Sequence, residues 1–307
     1  MNDVCFAYRF NETTKRYGTM NNKYQLPKDG GLIKESAPKD IVHRYERLPT
    51  RVFESEYHGV QYVADVICRL IRNHVDNASA RDIYEELPPF VLGLTTGRTP
   101  LGLYRELVKR HKAGEVSFKS VAVYSLDEFY PIRRTEQQSR NFRIHDEFLK
   151  HIDIQPENVH IPDGTIPESE ISEYCANLDK SIRKIDLMII GFGENGQVGF
   201  NEQGSYAKSH TRLVELSHNS RKVQSKFFRN MGETPKMAIT MGIGTIMRAD
   251  KVVLMAWGEG KAQVVSNIVE GEISSQVPAS FLQRHNNVEV VVDEVFCGVG
   301  ELVVDLA

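Results

Sequence analysis

Five stretches of this chain are apolar along nearly their whole length: PFVLGL (89–94), SVAVYSL (120–126), IDLMIIGF (185–192), KVVLMAW (251–257) and VEVVVD (288–293). A strand with one face in water alternates apolar and polar residues, so strands of this kind must be covered on both faces. Between them run amphipathic segments with the i, i+3, i+4, i+7 spacing of helices. Val60, Val63, Ala64, Ile67, Leu70 and Ile71 form the first such stripe, which starts near Glu54. TPLGLYRELVKRHKAG (99–114), FRIHDEFLKHI (142–152), SRKVQSKFFRNM (220–231) and GKAQVVSNIVEG (260–271) follow. Buried strands alternating with amphipathic helices predict an α/β fold: a single doubly wound, mainly parallel sheet with helices on both faces, Rossmann-like in build.

No linker or repeat divides the body, so residues 46–307 are expected to form one domain. Residues 1–45 are polar and aperiodic and predict an N-terminal extension that is flexible or loosely packed. A net charge of −3 supplies no basic field for nucleic acid or an anionic membrane surface. No apolar run is long enough to cross a bilayer, and the N-terminus lacks a secretion signal. Cys5, Cys68, Cys175 and Cys297 are widely spaced with no C-x-x-C pair, which predicts reduced thiols and no zinc site. His145 and His151 lie six apart on one helix, which is not the i, i+4 metal spacing. The chain reads as a cytoplasmic protein with no nucleic-acid or membrane partner and no bound metal.

In a doubly wound sheet, ligands bind beyond the carboxyl ends of the strands. Four loops occupy that edge: TTGRTP (95–100), DEFYP (127–131), GFGENGQVGFNEQGS (191–205) and WGEGK (257–261). TTGRTP offers the hydroxyls of Thr95, Thr96 and Thr99, an unhindered Gly97 and a helix N-terminus, which suits either a phosphate cradle or an ordinary capped turn. Asp127 and Glu128 leave a strand together, as a general base would, or as a solvated acidic loop or helix cap would. Gly191, Gly193 and Gly196 have the G-x-G-x-x-G spacing, but no helical period follows them. A dinucleotide loop needs that helix. These glycines therefore read as letting backbone approach a small substrate and placing Glu202. Lys261 faces the same edge, as a phosphate partner or as a surface lysine.

VLGLTTGRTPLGLYRELVKRHKAGEVSFK, YSLDEFYP, GFGENGQVGFNE, ITMGIGTI and GEGKAQVVSNIVEG, in that order, resemble the glucosamine-6-phosphate deaminase (isomerase) family. The same fold hosts 6-phosphogluconolactonases, and NEQGS, HTRLVELS and GIGT favour the deaminase branch. The resemblance implies conversion of a phosphorylated amino sugar, glucosamine 6-phosphate, to fructose 6-phosphate and ammonia. It implies no cofactor and a homo-oligomer. By position, Thr96, Gly97, Arg98 and Thr99 would cradle the phosphate with Lys261. Lys226 would join them where the family usually has arginine, giving a point charge in place of a bidentate fork. Asp127 would move the proton between C2 and C1, and Glu202 matches the family's glutamate.

Two positions depart. Asn195 and Gln197 stand where the family has the aspartate and histidine assigned to opening the sugar ring. An amide can hydrogen-bond a ring oxygen but cannot exchange a proton near neutral pH. The expectation is a slow or altered deaminase working through Asp127 on open-chain sugar. The alternatives are a non-catalytic sugar-phosphate sensor or partner subunit and, third, a lactonase. Val214 replaces a basic residue found in allosteric members, so activation by an amino-sugar phosphate is not expected.

Overall fold

The computed structural model describes residues 33–35, 46–79, 88–182, 184–258 and 262–294. The elements run β1 (Ile33–Glu35), β2 (Thr50–Phe53), α1 (Glu56–Ser79), β3 (Phe90–Leu94), α2 (Leu101–Lys112), β4 (Val121–Ser125) and β5 (Asp127–Tyr130). Then come α3 (Arg140–Glu147), β6 (Val159–His160), α4 (Ile171–Ser181), β7 (Leu187–Gly191), β8 (Arg212–Glu215) and α5 (His218–Gln224). The remaining elements are β9 (Met237–Thr240), α6 (Ile243–Ile246), β10 (Val252–Ala256), α7 (Ala262–Val269) and β11 (Val288–Asp293).

The main sheet has the order β1-β2-β11-β10-β7-β3-β4-β6. It is parallel from β2 to β6, and only β1 pairs antiparallel, with β2. Successive side chains of each strand go to opposite layers. Leu187, Ile189, Val253 and Met255 pack under α1 and α2 with Ile67, Leu107 and, from α3, Ile144. Met188, Ile190, Leu254 and Val290 pack on the other face with Val265 and Ile268 of α7. In β4, β10 and β11 every residue is buried, which is why these strand sequences lack polar alternation. Each such side chain contributes about 1.5–3 kcal/mol on removal from water.

Helix α2 illustrates how local sequence sets an element's ends. Its last turn carries Lys109, Arg110, His111 and Lys112, which suit the negative end of the helix dipole. Gly114, at φ +76, then stops it in a conformation that side chains with a Cβ avoid.

The sequence reading of DEFYP as a loop is corrected: Asp127–Tyr130 is a strand. With β9 and β8 it forms a second, three-stranded antiparallel sheet beside the main one. Phe129 is fully buried there with Ile132, Phe200, Leu216 and Ala238, and that packing is what holds the segment extended. The helix expected over 220–231 is also shorter. It ends at Gln224, passes through a 3₁₀ turn at Ser225–Phe227, and releases Phe228 to meet Phe129 edge-on at 5.4 Å. Of the expected 1–45 extension only Ile33–Glu35 lies within the described residues. Cys68 and Cys175 are buried free thiols. Among the described residues no helix is long and apolar enough to cross a membrane, and no cluster of ligating side chains suits a metal ion.

One buried carboxylate ties α4 to β8 and α6. Asp179 accepts hydrogen bonds from Thr245 Oγ1 at 2.8 Å, Thr211 N at 3.2 Å, the Thr211 hydroxyl, and His210 Nδ1 at 2.7 Å. Burial alone would raise its pKa, but these donors outweigh burial and hold it below the usual aspartate value. A lowered folded-state pKa stabilises the fold above the unfolded value of about 3.9 and stops doing so as pH falls through the folded value. Asp179→Asn should therefore lower stability at neutral pH by about 1–3 kcal/mol. Thermal melts across pH should show the deficit shrinking at acid pH, below about 4.

Candidate active site

The chain leaves β3 for β4 on one side and returns to β7 on the other, so the loops after β3 and β7 diverge at a switch point. They still touch: a Cβ on Gly191 would lie 3.5 Å from Cβ of Thr99. A cleft of about 750 Å³ opens there. Arg98 and Thr99 line it from the loop after β3, Gly193, Glu194, Asn195 and Gln197 from the loop after β7, Ser220, Gln224 and Lys226 from α5 and the turn after it, Trp257 from the end of β10, and Glu56 from the start of α1.

The β3–α2 loop is built to receive an anion. Gly97 takes φ +127, with no atom within 4 Å of where its Cβ would be, which leaves the backbone open to a ligand. The Thr96 hydroxyl is buried without a hydrogen-bond partner. α2 begins with no side-chain cap and no acidic residue of its own in its first turn, and the carboxylate close to that turn is Glu56 of α1, with Oε1 2.9 Å from where a Cβ on Gly102 would lie. Beneath the loop, the fully buried Tyr104 donates its hydroxyl to the Thr95 carbonyl. Trp257 Nε1 donates to the Thr99 carbonyl at 3.0 Å. These two bonds fix the loop while the Thr96 hydroxyl stays unpaired.

The loop after β7 is a succession of tight turns with no helix. Gly196 N donates to the Gly193 carbonyl and Gly193 N to the Gln197 carbonyl, both at 2.9 Å. Gly196 and Gly199 take φ values of +69 and +56. Such a loop has no helix N-terminus to hold a pyrophosphate, in line with the sequence reading against a dinucleotide. Asn201 anchors it: fully buried, its amide donates to Val198 O at 2.9 Å and Met241 O at 2.8 Å, and its carbonyl accepts from Arg212 at 3.0 Å. Phe200 N donates to Thr240 Oγ1 at 3.2 Å, which docks the loop on the small sheet beside Asp127.

Asp127 begins β5 and is only 4% exposed. Burial pushes its carboxyl pKa up, and the Arg140 guanidinium, with Nε 3.4 Å from Oδ1, pulls it back. The adjacent Glu128 has a different task. It accepts from Ser139 Oγ at 2.7 Å, from Arg140 N and Asn141 N at 2.9 Å, and from Phe129 N at 2.8 Å, capping α3. Burial raises its pKa and those donors lower it. Glu202 is half-buried at the start of α5, where Oε2 accepts from Ser217 N at 3.3 Å.

The cleft therefore brings together five of the residues singled out in the sequence: Arg98, Thr99, Asn195, Gln197 and Lys226. Thr96 and Gly97 adjoin them in the same loop. Asp127 does not line the cleft but reaches its wall through Arg140, whose Nη2 donates to Gln224 Oε1 at 3.3 Å. Glu202 does not line it either, and Lys261 lies outside the described residues. Sequence reasoning missed Arg140, Asn201 and Gln224. Asn201 sits inside the FNE segment and was legible as part of it, whereas nothing local marks the other two.

The family described as glucosamine-6-phosphate isomerases/6-phosphogluconolactonase matches residues 61–292. A glucosamine-6-phosphate deaminase-like protein of Bacteroides thetaiotaomicron is 39% identical over 259 residues, 83% of this chain and 38% of that protein. The chain thus spans well under half of that relative. Glucosamine-6-phosphate deaminase 2 of Bacillus subtilis is 42% identical over 208 residues, 66% of this chain and 83% of that one. A structure reported as a monomeric glucosamine-6-phosphate deaminase superposes with a TM-score of 0.73 at 32% identity, covering 81% of this chain and 99% of that one. The 6-phosphogluconolactonase of Thermotoga maritima, at 19% identity, covering 80% of this chain and 98% of its own, with a TM-score of 0.58, shares the fold. The chain belongs to the glucosamine-6-phosphate isomerase/6-phosphogluconolactonase family.

Proposed function

We propose that this chain is an amino-sugar-phosphate deaminase and aldose–ketose isomerase, which converts glucosamine 6-phosphate and water to fructose 6-phosphate and ammonia. The observation that carries this reading is an anion cradle that shares a sugar-sized cleft with the loop after β7, whose Phe200 end docks on the strand pair that holds the buried carboxylate of Asp127. The phosphate sits on the α2 N-terminus, the Thr96 hydroxyl, Gly97 and Thr99. Arg98 and Lys226 supply positive charge, a role the family resemblance extends to Lys261, which lies outside the described residues. Asp127 takes the proton from C2 of the open-chain sugar and returns it at C1. Water then adds at C2 and ammonia leaves.

Asn195 and Gln197 orient the ring oxygen and hydroxyls by hydrogen bonding but transfer no proton. The chain accordingly depends on sugar that has opened spontaneously, and its turnover is slow. Glu202 steadies the start of α5 against the loop, through Ser217.

The paired amides also favour a second reading, a sugar-phosphate sensor that binds without turnover. Measuring ammonia and fructose 6-phosphate, with binding followed by fluorescence of Trp257, the chain's one tryptophan, separates the two. Turnover that scales with enzyme supports the deaminase. Quenching without product moves the assignment to the sensor, and hydrolysis of 6-phosphogluconolactone alone moves it to the lactonase branch.

A further inference from the structure

Arg140 is 5% exposed, yet no surface role or capping duty accounts for its side chain. Its backbone N–H is bound to Glu128, the residue next to Asp127, at 2.9 Å. Its guanidinium lies over the ring of Phe129 at 4.6 Å and near that of Phe200 at 5.6 Å, so it is held by one aromatic from β5 and one from the loop after β7. Nη2 reaches Gln224 on the cleft wall at 3.3 Å. Nε faces Asp127 Oδ1 at 3.4 Å, and neither atom has a hydrogen-bond partner elsewhere.

A buried ion pair adds little dependable stability, because desolvating two charges offsets their attraction. Two apolar side chains would fill this space as well. A cation joining the proposed base, the substrate loop and the cleft wall has a better explanation in the reaction.

We propose that Arg140 is a positioning residue, which fixes the direction and charge of the Asp127 carboxylate and links it to the cleft wall at Gln224. The inference rests on the reading of Asp127 as the base. Three titratable or charged groups surround that carboxylate. Arg140 comes from α3, and Tyr104 from α2, whose own pKa burial raises first and Glu147 and Asp127 raise further. The third, Glu128, turns its carboxylate into the α3 N-terminus. Arg140 is the cation set against Asp127 and lowers its pKa against the effect of burial.

The test compares Arg140→Met, Arg140→Lys and Asp127→Asn with the parent. It reads kcat and KM for glucosamine 6-phosphate against pH, thermal melts, and Trp257 fluorescence on adding that sugar phosphate. Arg140→Met is expected to bind with little change in KM. It should lose about tenfold to a hundredfold in plateau kcat, and its acid limb should move up by about one pH unit or more. Arg140→Lys keeps the charge without the fork, so its limb should stay near the parental position while kcat is intermediate. A folded Arg140→Met with the parental limb and kcat overturns the inference. If Arg140→Met does not fold, the lysine variant decides: a lower kcat at parental KM supports positioning, and a parental kcat overturns it. Asp127→Asn retaining activity overturns the assignment of the base itself, and this inference with it.

Discussion

Asp127→Asn is expected to abolish release of ammonia and fructose 6-phosphate from glucosamine 6-phosphate while leaving binding intact. The substitution replaces one oxygen by an NH₂ and leaves the backbone pairing of Asp127 with Thr240 in place. The anion cradle belongs to other elements, the start of α2 and the turn after α5, so affinity for the phosphate end should persist. What is lost is the buried carboxylate proposed to accept the C2 proton, and general acid–base catalysis is typically worth about 10²–10⁴-fold. The parent should also show a signature in pH. Burial raises the folded pKa of Asp127, so the base is lost to protonation as pH falls through a value above the usual aspartate range. Product assays over a pH series, with Trp257 fluorescence as the binding control, check both points. A variant that keeps more than about a tenth of parental kcat would return the base to another residue, and Glu194 on the cleft wall would be the next to substitute.

Gln197→His is expected to give the opposite sign, a gain. Gln197 lies on the cleft wall with its amide near the Gly199 carbonyl at 3.5 Å, the limit of a hydrogen bond, so little holds the present side chain in place. An imidazole there can give and take a proton at neutral pH, which an amide cannot. With ring opening now assisted, turnover should rise by about tenfold or more, short of the full 10²–10⁴ because Asn195 gives the imidazole no charged partner. Asn195→Asp added to Gln197→His should exceed the sum of the two single effects, since a carboxylate fixes the tautomer and stabilises the imidazolium. Steady-state kinetics of the four chains in a double-mutant cycle measure this. Four indistinguishable rates would mean that spontaneous ring opening does not limit the parent.

The parallel sheet was legible because its strands carry a strong signal. Val121, Val123, Leu187, Ile189, Val252 and Leu254 are apolar on either face, and only burial on both sides explains that. The small antiparallel sheet was not legible. RLVE and MAIT are four residues each, and DEFY begins with two carboxylates that read as a loop. Long-range pairing, not local propensity, makes them strands. The cleft loops could be read for the same reason the sheet could, since they follow recognisable strands. Arg140 could not, because its role depends on Phe129, Phe200 and Gln224 converging from three separate segments.

The position of β11 has a consequence for how the chain is made. It is the last strand described, yet it lies between β2 and β10. As the chain leaves the ribosome, β2 emerges early with only β1 to pair with, and its other edge waits until almost everything else has been synthesised. Pairings this distant in sequence are slow to form, and unpaired apolar strands invite association in the meantime. The nascent protein should therefore spend its synthesis with an open apolar edge, and β2, which leads into the start of α1 where Glu56 meets the cleft, should gain its parallel partner only once β11 has been made.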